Sequence, residues 1–310
     1  MIPWLVLACS GTPDETSAAP APEPGPIRVT LALNWFPEPE FGGFYEGVLG
    51  GHYARHGLQV EVLPGGPGAP TLEQLATGRA DVAISAADDL LVKRQKGIAA
   101  IGAWPAFQLS PQGLLVHDSG PKTLDELADG TRVAIEVGSP FQRFLWRTHG
   151  WDGRVEAVPY SGNVGAFLAD ESAVQQAYIT AEPCAARQRG ASVRFLKGSD
   201  AGWNPYGSLV AFAEPPPPWA GAFVQATHEA WEAYVAAPDR GNAEIRRLNP
   251  DMDDDALIAC ITEAQAPFVV GSDGLGAMTT ERWEAMASVL VDLELVPGGT
   301  TAAGAWRSFR

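Results

Sequence analysis

From Ile27 onward the chain alternates short runs rich in β-branched residues with helical stretches, and Gly, Pro, Ser or Asp stands at nearly every junction. An alternating β/α order can bury its apolar faces in few ways, and it predicts an α/β fold with mainly parallel sheets. The first series has expected strands at 27–33, 58–63, 81–84, 98–104 and 113–116. A helix is expected over 42–56, with Phe44, Tyr45, Val48, Leu49 and Tyr53 on its apolar side and Gly57 as its C-terminal cap. Further helices follow through Leu72 and Leu75, and from Asp88 to Gly97.

A second series begins near Pro121. Strands at 133–137, 157–160 and 173–179 lead into Gly138-Ser139-Pro140, Ser161-Gly162-Asn163 and Thr180-Ala181-Glu182-Pro183. Ser139 followed by Pro140 is a good N-cap with proline at the first helical position. After a strand at 208–212 the chain turns helical, ending in a stretch over 280–295 that keeps Trp283, Met286, Ala287, Leu290 and Leu293 on one face.

Two βα series in 310 residues are too much for one core and predict two lobes. The tail lacks a sheet of its own, so it should return to the first lobe and the chain should cross between lobes twice. The expected crossings are 113–117 and 208–212, dividing the chain into lobe 1 (27–116 plus 208–310) and lobe 2 (117–207). Ligands of open α/β sheets bind at the C-terminal ends of the strands, where loop side chains and helix N-termini converge.

The segment LNWFPEPEFGGFYEG, residues 33–47, follows the first strand and sets aromatic rings among Glu38, Glu40 and Glu46 with no basic residue. It makes Trp35 a candidate stacking residue, and Glu38 and Glu40 candidate cleft carboxylates. Ser85 and Asp88 end the third strand and open the next helix. Glu182 opens another, where a carboxylate can accept from an exocyclic amine or a protonated ring nitrogen. Gln108, Tyr160, Asn163, Asn204 and Tyr206 are further ligand candidates on turns. For each of these the alternative role is local: capping a helix, shaping a turn or packing.

The net charge of −16 leaves no basic patch for nucleic acid and no attraction to an anionic membrane surface. The cysteines at 9, 184 and 260 form no CxxC pair, no zinc spacing and no even-numbered disulfide framework. His52 and His56 stand at i,i+4 but lack the glutamate of a zincin motif, so no metal site is expected. GxSxG, P-loop and GxGxxG signatures are absent, and with them any catalytic or cofactor motif.

MIPWLVLAC, residues 1–9, is a short apolar run ending Val6-Leu7-Ala8-Cys9 and resembles a bacterial lipobox, which makes Cys9 the expected lipidation site after signal removal. Residues 10–26 carry five prolines and three acids without a large apolar side chain, the composition of a flexible tether. An anchor and a tether place the folded body at a membrane, in the bacterial periplasm or at the cell surface.

The segments LNWFPEPEFGGFYEG, HGLQVEVLPGGPG, ATGRADVAISAADDLLVKRQKG, FQLSPQGLLVH, VPYSGNVGAFLAD, YITAEPCAARQRGA and GWNPYGSLV, in this order and spacing, resemble ABC-transporter solute-binding proteins of the thiamine-pyrimidine-synthase-like group. That group includes alkanesulfonate-, taurine-, nitrate- and riboflavin-binding members. The resemblance implies a two-lobed periplasmic-binding-protein fold of type II that acts as a monomer, closes on a small molecule and delivers it to a permease driven by a cytoplasmic ATPase. It also places Trp35 near the ligand and sets Glu182 at the glutamate of pyrimidine-binding relatives. The related eukaryotic pyrimidine synthase consumes its own histidine. By resemblance its cofactor lysine falls on Ser85 and its histidine on Asp89, while its cysteine cluster falls near 202–206, where no cysteine stands. Serine forms no Schiff base, so that activity is not expected. The motifs carrying Glu38, Glu40, Asp88 and Glu182 set no Lys or Arg beside these carboxylates. A thiamine-type pyrimidine precursor is therefore expected before riboflavin, and riboflavin before alkanesulfonate, taurine or nitrate.

Overall fold

The computed structural model describes residues 25–309 together with Met1, so Cys9, the rest of the 1–9 signal and nearly all of the 10–26 tether lie outside the described residues. In chain order the first half comprises β1 (Ile27–Ala32), α1 (Gly42–Leu49), α2 (His52–Arg55), β2 (Leu58–Leu63), α3 (Thr71–Ala76), β3 (Val82–Ser85), α4 (Ala87–Gln95) and β4 (Ala100–Phe107). The second comprises β5 (Gln112–His117), β6 (Arg132–Ile135), α5 (Pro140–His149), β7 (Glu156–Pro159), α6 (Gly165–Leu168), β8 (Val174–Tyr178), α7 (Glu182–Gln188) and β9 (Val193–Lys197). Then come β10 (Gly207–Ala213), α8 (Ala220–Ala236), α9 (Asp239–Leu248), α10 (Asp255–Val270) and α11 (Thr280–Asp292). Among the described residues no helix is long and apolar enough to cross a membrane.

The strands form two five-stranded sheets with the orders β2-β1-β3-β10-β4 and β7-β6-β8-β5-β9. Counted from β6, the parallel strands of the second sheet repeat the 2-1-3-4 order of the first, with the reversed strand in the same place, although that strand is the last of its sheet in chain order in the first (β10) and the first in the second (β5). In each sheet four strands point the same way, because β10 runs antiparallel to both β3 and β4, and β5 to both β8 and β9. The reversed strand is always the one that follows a passage between sheets. The sheets are therefore mixed: only β1–β2, β1–β3, β6–β7 and β6–β8 are parallel pairs.

That arrangement moves the expected crossings. Residues 113–117 fall within β5, which pairs with β8 and β9 in the second sheet, and 208–212 fall within β10 of the first. The chain passes between sheets at 108–111 and at 198–206, just before the strands the sequence offered as crossings. An apolar strand and an apolar crossing look alike in sequence. Pairing partners alone tell them apart.

The expected helix over 42–56 is split into α1 and α2, because Gly51 adopts a left-handed φ of 69° between them. The tail packs on the first sheet as expected. In α11 Trp283, Met286, Ala287 and Leu290 are buried, while Leu293 lies half-buried against the same core. Helix α8 lays Trp231 and Tyr234 against α1 so closely that a methyl group on Gly43 would stand 2.2 Å from the Trp231 ring, and one on Gly42 2.0 Å from Tyr234. The two adjacent glycines of FGGF are thus a seat for two large rings. Phe41, Phe44 and Tyr45 bury themselves in the same core.

The cysteine expectation is also corrected. Cys184 at the start of α7 is bonded to Cys260 in α10, with Cα atoms 6.0 Å apart. The partners stand 76 residues apart in sequence, and only folding brings α7 onto the tail.

Candidate functional site

The C-terminal ends of the parallel strands in both sheets open onto one cavity of about 630 Å³, within the range of small-molecule sites. Trp35 and Glu38 reach it from the loop after β1, Ser85 and Asp88 from the β3–α4 junction, Tyr160 from the end of β7, and Glu182 from the start of α7. The two sheets thus contribute to one concavity, as the strand-end rule anticipates.

At one end the Trp35 and Tyr160 rings, one from each sheet's loops, lie parallel within 4° with centroids 6.2 Å apart. Around them gather three carboxyl groups without a paired cation. Burial raises Glu38 to about 8, aided by the neighbouring Glu182 charge and partly countered by a bond from Trp35. Burial, with Glu38 and Glu182 nearby, holds Glu40 well above the usual carboxyl range. Burial raises Glu182 as well, against the pull of its donors: the Tyr160 hydroxyl donates to Oε1 and the Tyr178 amide to Oε2 at 2.7 Å. Those two bonds fix the Glu182 carboxyl in position before any guest arrives. Asn34 Oδ1 and Asp88 Oδ1 are both buried without a protein donor, and both residues line the cavity. Buried acceptors left in that state cost free energy until a donor reaches them.

The other end is built on α4. Asp88, Asp89, Val92, Lys93 and Lys96 line the cavity from one side of this helix and the turn that follows, as the helical period dictates. Burial pushes Asp88 up to about 7, with Asp89 adding to the shift, and Asp89 is raised chiefly by burial too. Ser85 Oγ donates to Asp89 Oδ2 at 3.2 Å, drawing together the two positions aligned by resemblance with the synthase's lysine and histidine. Lys93 bonds Glu73. Arg143 and the Ser139-Pro140 start of α5 complete this end, with Ser139 Oγ accepting from the Gln142 amide at 3.2 Å as its N-cap. The cavity is therefore not purely acidic. The expectation that no Lys or Arg stands near the carboxylates is corrected, because one turn of helix separates Asp89 from Lys93.

Four sequence candidates lie elsewhere. Asn163 Oδ1 caps its own turn by accepting from the Gly165 amide at 2.8 Å. Gln108, Asn204 and Tyr206 gather where the chain passes between sheets, around Arg282. That guanidinium donates to the Gln108 carbonyl, to the Asn204 carbonyl at 3.0 Å and to Asn204 Oδ1 at 3.1 Å. It also reaches the Pro205 carbonyl at 2.9 Å and lies 3.8 Å above the Tyr206 ring. The Tyr206 hydroxyl accepts from the Thr279 amide at 2.9 Å. The Gln108 carbonyl and the Asn204 and Tyr206 groups thus join the two crossings to α11. Their turns looked like the ligand-bearing ones, and the decisive partner, Arg282, is remote in sequence.

Sequence reasoning missed Asn34, Asp89, Lys93, Lys96, Glu136, Arg143 and Tyr178 as lining residues. Asn34 and Tyr178 stand directly at strand ends already singled out, so reading each strand end as a cluster would have found them. Arg143 and Lys96 gave no such signal. Among the described residues Trp104, Trp151, Trp203, Trp231 and Trp283 are fully buried in the cores, while Trp35 lines the cavity. Among the described residues no group of His, Cys, Asp and Glu is arranged to hold a metal ion.

Over 282 residues the chain is 26% identical to the riboflavin-binding protein RibY of Chloroflexus aurantiacus, covering 86% of this chain and 77% of that one. It is 24% identical over 281 residues to a formylaminopyrimidine-binding protein of Halalkalibacterium halodurans, covering 84% of each. The solved periplasmic aliphatic sulphonate binding protein SsuA from Escherichia coli matches with a TM-score of 0.66 at 20% identity, over 88% of this chain and 89% of that one. That likeness establishes the two-lobed, type II periplasmic-binding-protein fold. The sequence profile described as NMT1/THI5 like matches residues 38–241, more than half of the chain.

Proposed function

Because the chain belongs to the NMT1/THI5-like family, we propose that it is the solute-binding component of an ABC importer. It captures a flat, amine-bearing heterocycle, of the thiamine-precursor pyrimidine kind, between its two lobes and delivers it unchanged to a permease. The observation that carries this reading is the surplus of buried acceptors: Asn34 Oδ1 and Asp88 Oδ1 without donors, in the same cavity as the carboxyl groups of Glu38, Glu40 and Glu182. A ring bearing exocyclic N–H groups satisfies such acceptors, and a carboxyl that ionises against a ring cation forms the stronger, charge-assisted bond. Trp35 and Tyr160 supply the faces against which a flat ring stacks. The formylaminopyrimidine-binding relative supports the same ligand class.

Binding without turnover agrees with the chemistry of Ser85 and Asp89, neither of which replaces a Schiff-base lysine or an imidazole donor. The lipid anchor on Cys9 and the tether over 10–26 belong to this reading, holding the protein in the periplasm or at the cell surface beside its permease and ATPase. A second reading has an observation of its own: Lys93, Lys96 and Arg143 line the far end of the cavity, and an anionic solute would seek them.

Thermal-shift screening of residues 27–310 against aminopyrimidines, riboflavin, alkanesulfonates and nitrate separates the two. A ligand at a hundred times its Kd adds about 2.7 kcal/mol of stability, and the aminopyrimidines are expected to raise Tm most. A rise with sulfonates or nitrate alone overturns the acceptor argument. Recovery of a chemically altered ligand overturns the non-catalytic one.

A further inference from the structure

Two chain crossings join the lobes, at 108–111 and 198–206, and Arg282 ties both together by donating to Gln108, Asn204 and Pro205. A hinge of this kind leaves the lobes free to swing open and also to twist. The Cys184–Cys260 bond lies away from that hinge. Cys184 sits on α7 of the second sheet, two residues beyond the cavity-lining Glu182, and Cys260 sits on α10, which packs on the first sheet. The far end of α10 reaches the first crossing, where the Phe268 carbonyl accepts from the Gln108 amide at 2.6 Å. Eight residues of helix separate Cys260 from Phe268, an arm of about 12 Å.

We propose that the Cys184–Cys260 bond is a third connection between the lobes, confining the opening of the cleft to rotation about the line that joins it to the Arg282 cluster. By the same means it is a positioning element for Glu182, keeping that carboxyl opposite Trp35 and Glu38. Disulfide-bridged Cα atoms reach at most about 6.8 Å, and these already stand at 6.0 Å, which leaves about 0.8 Å of travel. On a 12 Å arm, 10° of rotation displaces the end by about 2 Å. Rotation about an axis through the crossings and square to that arm therefore stops after about 4°. Motion about the line running through both attachment points stretches neither and stays free. The family assignment leaves this open, because it rests on where α7 meets the tail in this chain.

The test uses ligand-free full chain, so its result is independent of which solute binds. Spin labels on keto side chains introduced at the exposed edge-strand positions Gln59 and Glu156 report the inter-lobe distance by pulsed dipolar spectroscopy. Three states are compared: oxidised protein, the same protein after a phosphine reductant, and the C184S/C260S variant. Breaking the bond is expected to lengthen the mean distance by several ångströms and to broaden the distribution, with far-UV circular dichroism unchanged. Superimposable distributions in oxidised and reduced protein overturn the proposal. So does loss of fold on reduction, which makes the bond a stability element only, and so does thiol titration of denatured, unreduced protein that finds Cys184 and Cys260 free. The positioning role has its own readout: with the bond broken, affinity for an aminopyrimidine probe falls through faster dissociation, whereas the Tyr160–Glu182 bond in this variant leaves the ligand preference unchanged.

Discussion

At the scale of single residues, the cavity is an arrangement of acceptors held in place before a ligand arrives. Glu182 carries the clearest expectation, because the Tyr178 amide and the Tyr160 hydroxyl fix it. Glu182→Gln preserves the shape and removes the charge, so an aminopyrimidine probe should lose affinity by about tenfold or more, the worth of one charge-assisted bond over a neutral one. Isothermal titration reads that loss, and circular dichroism checks that the fold survives. Glu38 makes a prediction about pH. Its carboxyl is raised by burial, then by Glu182, to about 8, so between its unfolded pKa and 8 the folded protein holds a proton that the unfolded chain has released. Stability from this group is fully present below the unfolded value and is lost as pH rises towards 8. Glu38→Gln should therefore raise Tm more at pH 8 than at pH 5, and a pH series of melting curves without ligand checks it. An equal gain at both pH values would place the cause in packing.

At the scale of elements, two features decide what the loops can present. Helix α4 turns Asp88, Asp89, Lys93 and the following Lys96 towards one cavity, so both signs of charge reach the same wall. This is where reading motifs one at a time falls short, since residues four apart on a helix are neighbours while their sequence contexts look separate. Helix α1 is fixed by Gly42 and Gly43 beneath Tyr234 and Trp231. Gly43→Ala places a methyl group 2.2 Å from the Trp231 ring, an overlap that only a shift of α8 or α1 relieves. The expected cost is about 1–3 kcal/mol, read as a lower midpoint in urea. Because α1 follows directly on the loop that holds Trp35 and Glu38, ligand affinity should fall with stability in this variant.

At the scale of the whole molecule, the two repeated sheets, the Arg282 cluster and the disulfide together set how the lobes move. Closing a loop of 76 residues stabilises the folded chain by about 4 kcal/mol in the chain-entropy view. Reduction should accordingly lower Tm by several degrees, measured by scanning calorimetry with and without reductant. Arg282 is the partner of that bond at the hinge. Arg282→Met removes the donors to both crossings and leaves their carbonyls unpaired, a change that should broaden the inter-lobe distance distribution even in oxidised protein.

What the sequence determined by itself was local in origin. The alternation of strands and helices, the Ser139-Pro140 cap, the buried face of α11 and the placing of Trp35, Glu38, Ser85, Asp88, Tyr160 and Glu182 at strand ends all follow from periodicity and capping chemistry, which act over a few residues. Tertiary structure alone decided the rest: that β5 and β10 pair in opposite sheets, that Gln108, Asn204 and Tyr206 gather round a distant arginine, that Lys93, Lys96 and Arg143 share the carboxylates' cavity, and that Cys184 meets Cys260. Each of these joins groups far apart along the chain, and no local rule carries the free energy of a contact whose partner has yet to arrive.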